Sequence, residues 1–391
     1  MSCPVKIGLE RITEVRPDFP FGEYPALLCN EASCTAYFKN AIDYLRSCGM
    51  KLSALFGPQH GIEITDQANM IEWENQREDK TGLPVYSLYG EHRQPTRESL
   101  KGLSSFIIDL QDVGARYYTY IWTSLLTLRR CAEFSIPVIV FDRPNPLGGI
   151  EVEGSPIEPG FESFVGMSSI PQRHACTLGE LLRLFAMREG LSDYLFVVPM
   201  LNWKRDMLWQ ETLRPWFSPS PNMPDFETAL LYPGACLIEG TNISEGRGTT
   251  LPFKLIGAPW IDSSELIREL NNKGFDGIGF RAVSFKPSFD KYNGKVCRGM
   301  QLHITDKKSI KPVRLFYSII DSVKKLYPDD FAWASPPYEY EFLKPPIDIL
   351  TGSKVFREAI DNNLDFADIF KGWQEFYNRF RAEIKYSLLY E

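Results

Sequence analysis

The stretch FIIDLQDVGARYYTYIWTSLLTLRRCAEFSIPVIVF, residues 106–141, contains a complete strand–helix–strand unit. Its two ends, at 106–110 and 137–141, are short apolar runs of the kind that form buried parallel strands. The segment between them at 118–134 predicts a long helix. A helix that connects two parallel strands packs on one face of their sheet, so this stretch predicts an α/β fold.

The same alternation continues on both sides of this unit. Further apolar runs that predict strands lie at 26–29, 52–56, 84–89 and 195–200. Helical patterns lie at 36–48 and 177–189, and the second opens on Thr177 with Glu180 three residues later, which is a capping box. We therefore predict a Rossmann-like, doubly wound, mostly parallel sheet in an N-terminal domain at residues 1–206.

The second half of the chain has a different pattern. The proline-rich stretch RPWFSPSPNMPDF at 214–226 is stiff and is typical of a domain junction. Two β-strands are predicted within 277–288 and 294–305, and helices at about 310–326 and 354–388 close the chain. We predict a smaller α+β C-terminal domain at residues 207–391 that packs against the first domain.

Composition narrows the class of protein. The 391 residues are 44% hydrophobic and 24% charged, which is typical of a packed globular protein. A net charge of −7 disfavours nucleic acid as a partner. No apolar run is long enough to span a membrane, and the first residues lack a signal-peptide pattern, so we expect a cytoplasmic protein. Because no C-x-x-C pair, G-x-G-x-x-G motif or P-loop is present, we expect neither a metal nor a cofactor.

Polar loops follow four of the predicted strands. They are GPQHG at 57–61, YGEHRQP at 89–95, QDVGARYYTY at 111–120 and DRPNPLGG at 142–149. The carboxyl ends of parallel strands share one edge of a sheet, and ligands bind there. With His174, which precedes the Thr177 cap, these loops supply nine candidate site residues: Gln59, His60, Asp112, Arg116, Tyr118, Asp142, Arg143, Asn145 and His174.

The second half supplies five more candidates. Glu239, Asn242, Glu245 and Arg247 lie within EGTNISEGRGTT at 239–250, and Asn222 lies between two prolines. The glycine-flanked acids and arginine predict a sugar or anion clamp with a carboxylate for proton transfer. The alternative for every candidate is structural, as a helix cap, a turn residue or an internal ion pair. We expect one cleft between the domains to be lined by His60, Asp112, Arg116, Asp142, Arg143, Asn222, Glu239 and Arg247.

Several stretches together resemble one family. LFGPQHG, QDVGARYYTY, FDRPNPLGG, PSPNMP, LLYPGACLIEGTNISEGRGTT and IDILTGS occur in the order found in the bacterial NamZ-type exo-β-N-acetylmuramidases, and the resemblance covers nearly the whole chain. It implies a Rossmann-like catalytic domain and a smaller C-terminal domain flanking the cleft. It also implies hydrolysis of terminal β-linked N-acetylmuramic acid from an amino-sugar or muropeptide substrate, without a metal or cofactor.

One position departs from that family. The family loop resembles GPEHG, with its glutamate favoured as the catalytic acid, whereas this chain has Gln59, and an amide cannot deliver a proton. Three interpretations stay open. In the first, the substrate N-acetyl group attacks while Gln59 orients it. In the second, the chain does not cleave this bond, and it either binds amino sugars only or cleaves a different glycan. In the third, another acid takes the place of the glutamate. The candidate acids are Glu63, Asp66, Glu72 and Glu239.

Among these acids we predict Glu239 as the proton donor, because it precedes a glycine and can be enclosed. Gln59, His60 and Asp112 complete the predicted catalytic group. The other ten candidates are predicted to bind substrate.

Overall fold

The large sheet has the predicted Rossmann-like character. The computed structural model describes residues 4–65, 67, 70–364 and 366–391. The sheet's strands are β1 (Pro25–Leu28), β2 (Ala54–Gly57), β3 (Gln76–Arg77), β4 (Pro84–Ser87), β5 (Ser105–Ile108), β6 (Val138–Phe141) and β7 (Leu195–Val198). Their order is β3-β4-β2-β1-β5-β6-β7, and every neighbouring pair is parallel except β3 and β4. Six strands coincide with the predicted apolar runs, whereas β3 was not predicted because its residues are polar and exposed.

The strand order contains one reversal of direction. From β1 the chain builds β2 and β4 on one side, then crosses to β5 on the other side of β1. The loops after β1 and β5 therefore leave in opposite directions, and a crevice opens between them at the carboxyl edge. The loop after β2, which carries Gln59, lies at the same edge.

Helices cover both faces of this sheet. They are α1 (Ile12–Val15), α2 (Ala41–Ser47), α3 (Tyr120–Glu133) and α4 (Leu178–Glu189). Side chains alternate along each strand, so Leu28 of β1 packs with α3 and α4 while its neighbour Leu27 packs with α1 and α2. The predicted capping box is confirmed, because the Thr177 hydroxyl accepts from the Glu180 N–H and the Glu180 carboxylate accepts from the Thr177 N–H.

The C-terminal half is α+β, as predicted. A three-stranded antiparallel sheet contains β8 (Leu255–Ala258), β9 (Ile278–Phe285) and, in the centre, β10 (Cys297–Ile304). Its helices are α5 (Phe226–Ala235), α6 (Ser263–Lys273), α7 (Pro312–Leu326), α8 (Pro346–Thr351), α9 (Val355–Asp361) and α10 (Phe366–Ile384). The single helix predicted at 354–388 is two helices, because Asn363 adopts a left-handed backbone conformation with φ of 53° that cannot continue an α-helix.

The two halves are joined by buried polar contacts. Arg116, just before α3, donates to the Leu350 carbonyl of α8 at 2.8 Å. The C-terminal Tyr390 returns to the large sheet and donates to Asp142 at 2.6 Å. These contacts fix the loops of the C-terminal half over the carboxyl edge of the large sheet. None of the described helices combines the length and apolar character needed to cross a membrane.

Candidate functional site

A narrow cavity lies where loops of both halves meet at this edge. The volume in it that a water-sized sphere can occupy is about 30 Å³, which is less than the ~300–1,000 Å³ usual for small-molecule sites. Six of the predicted residues line it: Gln59, His60, Tyr118, Asn222, Glu239 and Arg247. Glu339 also lines it, and sequence analysis did not single this residue out.

Glu239 is held as a buried carboxylate. One of its oxygens, Oε1, accepts from Arg247 Nη2 at 2.7 Å and Arg247 Nε at 3.1 Å. The other, Oε2, accepts from the Tyr338 hydroxyl at 2.6 Å. Burial raises the pKa of Glu239, but the Arg247 charge and these hydrogen bonds outweigh burial and leave the pKa below its usual value. Glu239 is therefore ionised at neutral pH, and this environment does not suit the proton-donor role predicted for it.

Glu339 is a second buried carboxyl group in a different environment. Its side chain accepts from Gln59 Nε2 at 3.2 Å and from the Tyr89 hydroxyl at 2.9 Å. Burial raises the pKa of Glu339 to about 7, the Glu239 charge adds to this rise, and the bonds from Tyr89 and Gln59 oppose it. No cation forms an ion pair with Glu339 among the residues that the structure describes. Glu339 is therefore partly protonated at neutral pH.

The Gln59 amide is oriented by a third group. The Thr119 hydroxyl donates to Gln59 Oε1 at 2.7 Å, which occupies the amide oxygen. The amide NH₂ group, which can only donate, then faces Glu339. Gln59 is thus a fixed hydrogen-bond donor to the Glu339 carboxyl group.

Strained backbone accompanies these residues. His60, Glu339 and Tyr340 have φ values of 70°, 44° and 67°, in the left-handed region that residues other than glycine rarely adopt. Each such residue costs on the order of 1–3 kcal/mol, and such residues cluster at functional sites. The strain lies in the two loops that bring Gln59 and Glu339 together.

The cavity therefore combines two carboxyl groups with separated pKa values. Glu239 is ionised and Glu339 is partly protonated at neutral pH, and such a separation of pKa values is what acid and base catalysis uses in a pair. Glycoside hydrolysis uses such a pair of carboxyl groups. Among the described residues, no three His, Cys, Asp or Glu side chains are grouped so as to hold a metal ion.

Comparison with known proteins identifies the family. Residues 26–227 match the N-terminal part of the exo-β-N-acetylmuramidase NamZ, and residues 230–390 match its C-terminal part. The chain belongs to the NamZ family. The peptidoglycan β-N-acetylmuramidase NamZ of Bacillus subtilis is 42% identical over 371 residues, which cover 94% of this chain and 87% of that protein.

Two crystal structures of DUF1343 family proteins from Bacteroides fragilis share the fold of this NamZ family member. One is 31% identical with a TM-score of 0.89, and the match covers 99% of each chain. The other is 28% identical with a TM-score of 0.75 and covers 100% of this chain and 99% of that chain. The α/β architecture is therefore shared over the whole length of the chain.

Four predicted residues of this NamZ family member lie in the protein interior, away from the cavity lining. Arg116 donates to the carbonyls of Ser155 and Ile170 as well as that of Leu350. Asp142 accepts from the Gly179 N–H at the start of α4 and from the Thr177 hydroxyl, and burial raises its pKa to about 7.

The other two interior residues also have protein partners. Arg143 forms a bidentate pair with Asp109 at 2.6 and 2.8 Å. Asn145 donates to the Cys176 carbonyl and accepts from the Leu147 N–H. The expectation that Arg116, Asp142 and Arg143 line the cleft is corrected, because their side chains lie in the interior and bond to buried backbone groups or an ionic partner.

Four further candidates also lie outside the cavity lining. Asp112 accepts from the Gly114 N–H and approaches the buried His174 to 3.3 Å, so both support the turn before α3. Asn242 bonds the backbone of Asp330 and Ala332. Glu245 binds Lys291 at 3.0 Å and lies 3.5 Å from Arg247, so it supports the Glu239–Arg247 pair from behind.

Two of the remaining candidate acids are too exposed to replace Gln59. Glu63 and Glu72 are exposed, and Asp66 lies outside the described residues. The acid that the sequence analysis missed, Glu339, is in the stretch PPYEYE at 336–341, where paired prolines precede alternating tyrosine and glutamate. Two aromatic hydroxyls and two carboxyls on a proline-stiffened loop were a usable signal for this site.

Proposed function

We propose that this protein is an exo-β-N-acetylmuramidase that removes terminal β-linked N-acetylmuramic acid from peptidoglycan fragments, with Glu339 as its general acid. Membership of the NamZ family and the identity to the Bacillus subtilis enzyme support the activity. The observation that carries the assignment of roles is the separation of the two pKa values in one cavity, with Glu339 raised to about 7 and Glu239 lowered.

The proposed reaction begins with proton transfer from Glu339. Its proton passes to the glycosidic oxygen as the bond between that oxygen and the sugar C1 breaks, and the leaving sugar departs as a neutral alcohol. The ionised Glu239 supplies negative charge near the positive charge that develops on the sugar ring. A water molecule then adds to C1, and its proton returns to the Glu339 carboxylate. Atoms and charge balance, and Glu339 ends the cycle protonated.

Gln59 has a positioning role in this proposal. Its amide donates to Glu339, and its own orientation is fixed by Thr119. The absence of a glutamate at position 59 therefore does not remove the acid from the cavity. The interpretation of this chain as a binding protein without chemistry depended on that absence. Glu339 offers a proton donor in its place, so the absence no longer argues against catalysis.

The test uses a chromogenic aryl β-N-acetylmuramide beside the matching β-N-acetylglucosaminide, together with a disaccharide that has N-acetylmuramic acid at its non-reducing end. The wild-type protein is expected to cleave the muramide and the disaccharide and to leave the glucosaminide intact. A protein that releases no sugar from either muramic acid substrate, while its fold is intact by circular dichroism, would show that the proposed activity is wrong.

A further inference from the structure

An arginine that has no ion-pair partner among the described residues packs on Tyr340, the residue that follows the proposed acid. Arg93 is in the YGEHRQP loop after β4 and is half-buried. Its guanidinium carbon lies 4.1 Å from the centre of the Tyr340 ring and 5.9 Å from that of Phe164. Tyr340 directly follows Glu339, and Phe164 directly precedes Val165, which lines the cavity. Arg93 does not itself line the cavity, but it packs on the chain neighbours of two residues that do, Glu339 and Val165.

The aromatic contacts fix the position of this cation. The rings of Tyr340 and Phe164 are 5.8 Å apart and nearly perpendicular, so they form a corner that the guanidinium occupies. An arginine packed on aromatic rings keeps the N–H groups at its edge available for a planar, two-oxygen acceptor. Within the described part of the chain, Arg93 has no hydrogen bond and no ion pair with an acidic residue.

The other cations near the cavity are already neutralised. Arg247 is bound to Glu239 and lies next to Glu245. Lys291 binds Glu245 and two backbone carbonyls. Arg93 differs from both because it forms no ion pair with any residue that the structure describes. A half-buried charge held in this way favours an anionic ligand.

The substrate of the proposed function carries such an anion. N-acetylmuramic acid differs from N-acetylglucosamine by a lactyl ether on the sugar ring, and this ether ends in a carboxylate. An enzyme that accepts only the muramic sugar needs a group that recognises this carboxylate. A site built to bond a polar substrate group rejects the analogue that lacks it.

We propose that Arg93 binds the lactyl carboxylate of N-acetylmuramic acid and so determines the specificity of this protein for muramic over glucosamine substrates. The inference rests on the proposed function, since it names the substrate group that the same cavity recognises. The Tyr340–Phe164 corner holds the guanidinium in place, and the lactyl carboxylate pairs with its charge.

The test compares an aryl β-N-acetylmuramide with the same compound carrying a neutral lactyl methylamide. The variant Arg93→Met keeps apolar packing against the two rings but removes the charge, and Arg93→Lys keeps the charge without the planar fork. Arg93→Met is expected to lower kcat/KM on the acid by about 10- to 100-fold and to change that on the amide by less than about 3-fold. Arg93→Lys should fall between. His92→Ala, at an adjacent exposed position, is the control and should leave both rates unchanged.

Two results would overturn the inference. Equal losses on the acid and the amide would mean that Arg93 only packs against the loop, and an unchanged rate on the acid would mean that it does not reach the substrate. If the wild type cleaves neither compound, the proposed function fails, and calorimetric binding of free N-acetylmuramic acid and its methylamide tests Arg93 alone. Arg93→Met must then weaken binding of the acid only, and a wild type that binds both forms equally contradicts the inference.

Discussion

Replacing Glu339 by glutamine should make the folded protein more resistant to unfolding at alkaline pH. Glutamine has nearly the same shape, and it can accept from Gln59 through its oxygen and donate to the Tyr89 oxygen through its nitrogen. The substitution therefore preserves the local contacts and removes only the titration. At acidic pH the substitution should change the free energy of unfolding by less than about 1 kcal/mol.

The size of the effect follows from the pKa of Glu339. Burial raises that pKa from 4.5 to about 7 in the folded protein, so between these pH values the native state binds more protons than the unfolded chain. Stability contributed by this group is then lost as pH rises, by about 1.4 kcal/mol per pKa unit. Between pH 5 and pH 8 the free energy of unfolding of the Glu339→Gln variant should rise by about 2–3 kcal/mol relative to the wild type.

Urea unfolding at pH 5 and pH 8, followed by tryptophan fluorescence, measures this difference. Asp142, whose pKa burial also raises to about 7, titrates in both proteins and cancels from the comparison. Glu341→Gln is the matched control, because Glu341 lies two residues away, pairs with Lys344 and does not line the cavity. A difference between wild type and Glu339→Gln that is the same at both pH values would refute a raised pKa at Glu339.

Three further predictions concern catalysis. Gln59→Glu places a second carboxyl group about 3.2 Å from Glu339. Because the two groups then share one proton, the alkaline limb of the rate–pH profile should move to higher pH; an unmoved limb would speak against contact between the two side chains. Tyr338→Phe removes a hydrogen bond that lowers the pKa of Glu239, so the acidic limb of the rate–pH profile should move to higher pH. A shift of that limb to lower pH would show that Glu239 does not act in its ionised form. Turnover should survive EDTA, since the cavity carboxyls are bound to protein donors; loss of rate that a divalent ion restores would disprove this.

Local sequence patterns were sufficient for most of the fold. Strands β1, β5 and β6 are short, continuous apolar runs, and burial on both faces of a parallel sheet produces that pattern directly. Strand β3 lacks it because Gln76 and Arg77 pair at an exposed edge, where hydrogen bonding and not burial defines the strand. The break between α9 and α10 depends on one left-handed backbone angle at Asn363, which helical periodicity does not reveal.

The site was harder to predict because a polar residue at the end of a strand has two possible uses. Asp142 follows β6, where ligands bind, yet it turns toward the first N–H groups of α4. Arg143 also follows β6, and it pairs with Asp109 in the core. Glu339 is a site residue that the sequence analysis missed. Its hydrogen-bond partners are Tyr89 and Gln59, which are 250 and 280 residues away along the chain. No local pattern encodes contacts at that separation.

The most direct test of the central claim is the dependence of the Glu339→Gln defect on the leaving group. A nitrophenolate departs readily without a proton, whereas a sugar alcohol needs one, so loss of a general acid slows only the second reaction severely. We predict that Glu339→Gln lowers kcat on the N-acetylmuramic acid disaccharide by about 10²-fold or more, and that on the nitrophenyl β-N-acetylmuramide by less than about 10-fold. Equal losses on both substrates, or a selective loss in Glu239→Gln instead, would contradict the assignment of Glu339 as the proton donor.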